Sequence, residues 1–218
     1  MAANPLANKN IIVVGLGLTG LSCVTFLLAK GANVSAMDTR AELSVTLDIP
    51  VFLGELDSKR LSAADMLVVS PGLSLQTPAI QTAIDAGVQV IGDIELFAMF
   101  NSKPVLAVTG SNGKSTVATL AYEMCLAAGK KALLGGNIGI PARELLDKES
   151  DIIVLELSSF QLDTTHTLRP HVACMLNLSD DHLDRHGDML SYQRAKLRVF
   201  RDARFSVCNC DDASTWPM

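Results

Sequence analysis

The chain has 218 residues, 49% of them hydrophobic, and a formal net charge of −5. That apolar content fills the core of one large or two small domains and excludes a disordered chain. The acidic balance, with no basic cluster, excludes binding to nucleic acid by charge, so any anion site must be local.

Five cysteines occur without a C-x-x-C pair, and the closest two are Cys208 and Cys210. An odd number in a chain too large to need staples implies free thiols and a reducing, cytoplasmic setting. Residues 11–29 carry no charge and lie between Lys9 and Lys30, imitating a membrane span or signal segment. Gly15, Gly17 and Gly20, with Thr19, Ser22 and Thr25, interrupt the run, and Gly31 follows as a helix C-cap, so no membrane segment is expected.

In chain order, residues 10–14 read as a buried strand, 18–29 as a helix and 33–37 as a second strand. Gly15-Leu-Gly-Leu-Thr-Gly20 occupies the first turn of this βαβ unit, and Asp38 follows at the spacing of a ribose-binding acid. Taken alone, this argues for a dinucleotide. Residues 39–65 give no clear pattern; 66–69 then read as a strand ending in Ser70-Pro-Gly72, 78–86 as a helix and 89–91 as a short strand. The turn at Ser70, Pro71 and Gly72 lies where ligands bind in open α/β sheets, and it is equally readable as a structural turn. Residues 93–100 read as a helix, and the polar break 101–104 marks a boundary between a domain of residues 1–100 and one of residues 101–218.

Residues 105–108 form a buried strand that runs into Thr109-Gly-Ser-Asn-Gly-Lys-Ser-Thr116 and a helix over 114–128. Strand, glycine turn and helix N-terminus together make a phosphate cradle, with Lys114 on the β/γ-phosphates and the Ser115 hydroxyl on Mg²⁺. The common G-x-x-x-x-G-K spacing would need glycine at 108, where Val108 stands, so this is a shorter variant. Strand 131–134 enters Gly135-Gly-Asn137, and strand 152–155 delivers Glu156 to its carboxyl end as a metal-site candidate. Strand 172–176 precedes Asn177 and the ionisable cluster 179–186, which suits either a site or a solvated loop. In a helix over 191–200, Lys196 shares a face with Tyr192, Val199 and Phe200, and snorkelling of its ammonium is the ordinary explanation. His166 and His171 read as surface or satisfied residues, and 205–208 as a last strand.

Together these motifs resemble the ATP-dependent Mur ligases of peptidoglycan synthesis. The resemblance rests on Gly15-Leu-Gly-Leu-Thr-Gly-Leu-Ser22, Asp38-Thr-Arg40, Ser70-Pro-Gly72, Gly92-Asp-Ile-Glu-Leu-Phe97, the cradle, Gly135-Gly-Asn-Ile-Gly139, Glu156-Leu-Ser-Ser-Phe-Gln161, Asp181-His-Leu-Asp184 and Ala195-Lys196. It implies an α/β chain: a Rossmann-like first domain followed by an incomplete P-loop-type α/β ATP-binding domain. The N-terminal motifs narrow it to the branch that joins D-glutamate to UDP-N-acetylmuramoyl-L-alanine through an acyl phosphate, using ATP and Mg²⁺.

The resemblance turns the first domain from a dinucleotide site into a UDP-sugar site made of Leu18, Thr19, Asp38, Thr39, Arg40, Ser70, Pro71 and Gly72. It implies that Gly110, Ser111, Asn112, Gly113, Lys114, Ser115 and Thr116 hold the ATP phosphates. Ser115 and Glu156 would hold one Mg²⁺, and His182 with a carbamylated Lys196 a second. Asn137, Ser158, Gln161 and His182 would contact the reacting end of the substrate. The family's third, amino-acid-binding domain and the rest of its central domain are missing, so the chain alone is expected to be inactive in the full reaction. A monomer with small-molecule substrates is expected. An NAD-dependent oxidoreductase and a non-catalytic nucleotide-binding module stand as rival readings, and folylpolyglutamate synthase-like ligases share the cradle but not the first domain.

Overall fold

A computed structural model describes residues 4–217, which divide after Asp93 into two compact units. The first unit contains β1 (Asn10–Val14), α1 (Leu18–Ala29), β2 (Asn33–Asp38), β3 (Val51–Leu53), α2 (Ser58–Ser62), β4 (Met66–Val69), α3 (Pro78–Asp85) and β5 (Gln89–Ile91). Its strands pair in parallel in the order β3-β2-β1-β4-β5. Ile11, Ile12, Val13 and Val14 are all buried, which is why β1 reads as an unbroken apolar run instead of an alternating one. Ile12 and Val14 pack with Leu67, Val69 and Ile80. A Cβ on Gly20 would collide with the Gly15 carbonyl, so this glycine lets α1 close onto the strand it follows. The chain leaves β1 toward β2 on one side and reaches β4 on the other, which opens a crevice at the carboxyl end of β1.

In the unassigned stretch 39–65, the structure places the short β3 and a five-residue α2. The α2 start is set by Asp57, whose carboxylate accepts the Lys59 and Arg60 amides.

The second unit takes in α4 (Asp93–Ala98) from Ile94 onward, because Ile94 and Phe97 are fully buried with Val105, Ala107 and Leu155. It continues with β6 (Val105–Thr109), α5 (Lys114–Ala127), β7 (Ala132–Gly136), β8 (Ile152–Glu156), α6 (Ser159–Asp163), β9 (Val172–Met175), α7 (Leu183–His186), α8 (Met189–Leu197) and β10 (Phe205–Cys208). All strand pairs are again parallel, in the order β10-β9-β6-β8-β7. The fold is therefore α/β, with two parallel sheets in succession. β6 is central, flanked by β8 and β9, so its carboxyl end is this sheet's switch point.

The expected helix over 191–200 begins earlier and changes character. Asp188 accepts the Ser191 amide at 2.7 Å and starts α8 at Met189, and Arg198–Phe200 tighten into a 3-10 turn. Glu95, buried on α4, accepts the amides of His166 and Thr167 and the Thr167 hydroxyl, fixing the loop after α6. Among the described residues none of the five cysteines is in a disulfide, and no helix is long and apolar enough to cross a membrane.

Candidate active site

The loop between β6 and α5 adopts backbone that favours glycine, with φ of 154° at Gly110 and 78° at Gly113. Ser111 donates its amide to the Asn177 carbonyl at 3.1 Å. Asn112 donates its amide to Asn177 Oδ1 at 2.9 Å, and Asn177 Nδ2 returns a bond to the Asn112 carbonyl at 3.1 Å. Ser111 Oγ donates to the Ser179 carbonyl and accepts the Ser179 amide, and it lies 3.1 Å from the Tyr192 hydroxyl. Lys114 Nζ donates to the Ser111 carbonyl at 2.9 Å. α5 begins at Lys114 with no acidic residue in its first turn, so its positive end is left for an anion.

Glu156 lies beside this loop because β8 pairs with β6 in a register that sets Glu156 against Val108. It is 2% exposed. Its Oε2 accepts the Ser115 hydroxyl at 2.7 Å, and its Oε1 accepts Asn137 Nδ2 at 2.8 Å. The Asn137 amide also donates to the Glu156 carbonyl at 2.8 Å. This approach depends on Gly136, with φ of 100°, where a Cβ would overlap the Glu156 carbonyl oxygen. A serine hydroxyl and a carboxylate within hydrogen-bond distance form the hard oxygen pair that suits Mg²⁺.

Lys196 is 2% exposed, so it does not snorkel. Its Nζ donates to the Gly110 carbonyl at 2.7 Å and lies 4.6 Å from the centroid of the Tyr192 ring. Burial, and then the charge of Lys114, pull its pKa down to about 7, while Asp181 acts the other way. A cavity of about 270 Å³ gathers Lys114, Asn137, Ser158, His182, Tyr192 and Lys196 on its walls with Ser159 and Phe160. His182 takes left-handed backbone, φ 52°, with its ring 5.0 Å from that of Phe160 and Nε2 3.4 Å from Asp181. His186 stacks on Phe160 at 5.1 Å and lies 2.9 Å from Ser159 Oγ; burial and then Lys196 lower its pKa.

Gln161 is placed differently from the other expected site residues. It is buried, its Oε1 accepts the Ser158 amide, and Ser158 Oγ accepts the Gln161 amide, forming a capping box at the start of α6. Thr116 is exposed on the first turn of α5. Sequence reasoning missed Asn177, Ser179 and Tyr192 as loop anchors and Phe160 as a cavity wall. A polar residue directly after a strand is the only local signal for Asn177.

In the first unit, Asp38 is 4% exposed and all its acceptor capacity is used. Oδ2 accepts the Leu16 amide at 2.6 Å and Arg40 Nη2 at 2.7 Å; Oδ1 accepts Arg40 Nε at 2.8 Å and the Arg40 amide at 3.0 Å. The Arg40 side-chain bonds in particular hold its carboxyl well below the usual carboxylate range. Arg40 also reaches the Leu16 carbonyl at 3.0 Å and keeps about half of its side chain exposed, 52%. The structure thus places a fixed cation at the carboxyl end of β2, where a ribose-binding acid would leave its oxygens open. Leu18 and Thr39 are exposed, Thr19 is half-buried, and Ser70, Pro71 and Gly72 form the turn after β4, where Leu73 donates to the Ser70 carbonyl.

Residues 9–92 match the family model of the Mur ligase MurD-like N-terminal domain, and residues 108–216 match that of the Mur ligase middle domain. A UDP-N-acetylmuramoylalanine–D-glutamate ligase of Haemophilus influenzae (strain ATCC 51907) is 51% identical over 217 residues, which are 98% of this chain and 50% of the relative. A ligase of the same name from Pasteurella multocida (strain Pm70) is 50% identical over 95% of this chain and 49% of its own length. The solved UDP-N-acetylmuramate-alanine ligase MurC of Thermotoga maritima, 20% identical, aligns with 95% of this chain and 50% of its own at a TM-score of 0.56, a likeness of fold. The chain spans about half the length of the curated relatives it matches. With both of its units covered by these two family models, the chain belongs to the Mur ligase family.

Proposed function

We propose that this chain is the UDP-substrate-binding and phosphate-cradling part of an ATP-dependent ligase that joins D-glutamate to UDP-N-acetylmuramoyl-L-alanine. The observation that carries the reading is Glu156, held on one oxygen by Ser115 and on the other by Asn137 beside Lys114. The names of the curated relatives supply the substrates.

The proposed reaction makes an amide from a carboxylate, which is a poor electrophile. An oxygen of the alanine carboxylate takes the γ-phosphoryl group, ADP leaves, and the D-glutamate amine then displaces phosphate from the acyl phosphate. Such chemistry needs positioning and charge neutralisation more than a covalent protein group. Lys114 exchanges its bond to the Ser111 carbonyl for a phosphate oxygen. Ser115 and Glu156 would hold one Mg²⁺, which spreads the phosphate charge when bound. Asn137 keeps Glu156 oriented. Lys196, deprotonated in part near neutral pH, can take up carbon dioxide as a carbamate and with His182 would hold a second Mg²⁺. In the first unit, Arg40 faces the uridine diphosphate as a fixed cation. Binding of NAD to that unit has no support from Asp38, whose acceptors are filled.

Calorimetric titration of the 218-residue chain with UDP-N-acetylmuramoyl-L-alanine, and separately with NAD, tests this. The UDP-sugar should bind and Arg40→Ala should weaken it. Binding of NAD alone would overturn the assignment. D-glutamate-dependent phosphate release by this chain would refute the expectation that the full reaction needs the half of the relatives' length not spanned here.

A further inference from the structure

Helix α8 turns Tyr192 and Lys196 inward, and its other side carries Arg194, which with Arg198 and Arg201 follows i, i+4, i+7 spacing into the 3-10 turn. These three arginines border a groove of about 680 Å³, separate from the cradle cavity, in a chain whose net charge is −5. Asp163 is the one acid on its walls, and Phe200 and Pro217 are among its apolar surfaces. Arg198 is held in place: Nε donates to the Leu162 carbonyl at 2.7 Å and Nη2 to the Thr165 carbonyl at 2.8 Å, with His166 Nδ1 at 3.2 Å. Arg194 and Arg201 are exposed, and neither makes an ion pair among the described residues. Burial, and then the charge of Arg201, lower the pKa of Arg198, while Asp163 and Glu95 act the other way.

We propose that this groove is a second anion site that takes an organic phosphate monoester. On the walls themselves three guanidinium groups stand against one carboxylate, with Glu95 acting on Arg198 and Asp188 on Arg194 from outside the lining, and this cationic lining matches a phosphate dianion better than a single carboxylate. The guanidinium forks of Arg194 and Arg201 can bind phosphate oxygens in pairs, while Arg198, with Nε and Nη2 on backbone carbonyls, supplies charge. The volume exceeds that of a bare phosphate and falls within the range of small-molecule sites, so the apolar walls have an ester group to cover.

Phenyl phosphate is the probe, titrated calorimetrically into the wild-type chain, Arg194→Ala/Arg201→Ala and Lys114→Ala. Both arginines are exposed, so their replacement leaves the core intact, which circular dichroism checks. Binding that survives Lys114→Ala and weakens on the order of a hundredfold in the double arginine variant, about tenfold per guanidinium, supports the site. Arg201→Lys should recover only part of the loss, because an ammonium lacks the fork. Binding that disappears in Lys114→Ala, binding unchanged in the arginine variant, or no binding at all overturns the proposal, the first outcome assigning the anion to the cradle.

Discussion

Replacing Lys196 by Met tests whether the structure has a buried amine that loses its proton near neutrality. The side chain is 2% exposed, and its pKa falls from an ordinary 10.5 to about 7. Between those values the unfolded chain holds a proton that the folded chain has released. The unfolded state therefore binds more protons, and wild-type stability should rise with pH across this window. Each pH unit contributes up to about 1.4 kcal/mol, so the gain from pH 7.5 to 9 is on the order of 2 kcal/mol. Lys196→Met keeps an unbranched side chain one atom shorter but has nothing to titrate, and it leaves the Gly110 carbonyl without its 2.7 Å donor, at a pH-independent cost of about 1–3 kcal/mol. Trp216, the single tryptophan, follows a turn tied to α8 by the Gln193 bond to the Ser214 carbonyl, so its fluorescence reports unfolding of the second unit. Urea titrations at pH 7.5, 8.25 and 9, in buffers stripped of carbon dioxide, should show wild type gaining on the variant at each step. Parallel pH dependences for the two proteins would refute the reasoning.

Gly136→Ala should destabilise the second unit by roughly 2–3 kcal/mol, since the added Cβ meets the Glu156 carbonyl at a left-handed φ; a urea midpoint close to wild type would show that β7 can retreat. Glu95→Ala should cost about 3 kcal/mol, because three donors from His166 and Thr167 lose a buried acceptor, and amide hydrogen exchange at 166 and 167 should rise far above wild type. Arg40→Ala should lower stability at neutral pH. The depressed carboxyl of Asp38 contributes stability above the ordinary carboxylate pKa and loses it as pH falls through the folded value, so the difference from wild type should close on acidification below about pH 4. Thermal melts at pH 7 and pH 3 that differ equally between the two proteins would exclude that account.

What could be read from the sequence was what is local in it. Strand, turn and helix follow one another within 105–117, so the cradle declares itself, and Gly20 announces the close approach of α1 by its spacing from Gly15. Glu156 was readable because a carboxylate at the end of an apolar run can only emerge at the strand's carboxyl edge. β3 and α2 were not readable, being three and five residues long, too short for either period to show. The apolar face around Lys196 was visible, but its partner, the Gly110 carbonyl, is 86 residues away in the chain. Likewise Asn177 meets Asn112 across 65 residues and Tyr192 meets Ser111 across 81. No periodicity carries such pairings. Gln161 misleads for a different reason: its spacing from Ser158 suits a capping box as well as a substrate contact, and the structure uses it for the cap.

These distant partners decide which amides of the cradle can meet an anion. In a trans peptide the carbonyl and the following N–H point in opposite directions. The peptide joining Gly110 to Ser111 has Lys196 on its carbonyl and the Asn177 carbonyl on its N–H. The next peptide has Lys114 on the Ser111 carbonyl and Asn177 Oδ1 on the Asn112 N–H. The first plane is clamped from two sides and the second stays held at its N–H by Asn177 when Lys114 turns to phosphate, so neither N–H is open to a ligand without releasing Asn177. The donors left for phosphate are those of the first turn of α5, which by helix geometry have no acceptor within the helix and which carry its positive end. On the proposed reading, Gly110, Ser111 and Asn112 therefore shape the cradle, and phosphate would be met by the N–H groups from Gly113 onward together with the Lys114 ammonium and the Ser115 hydroxyl.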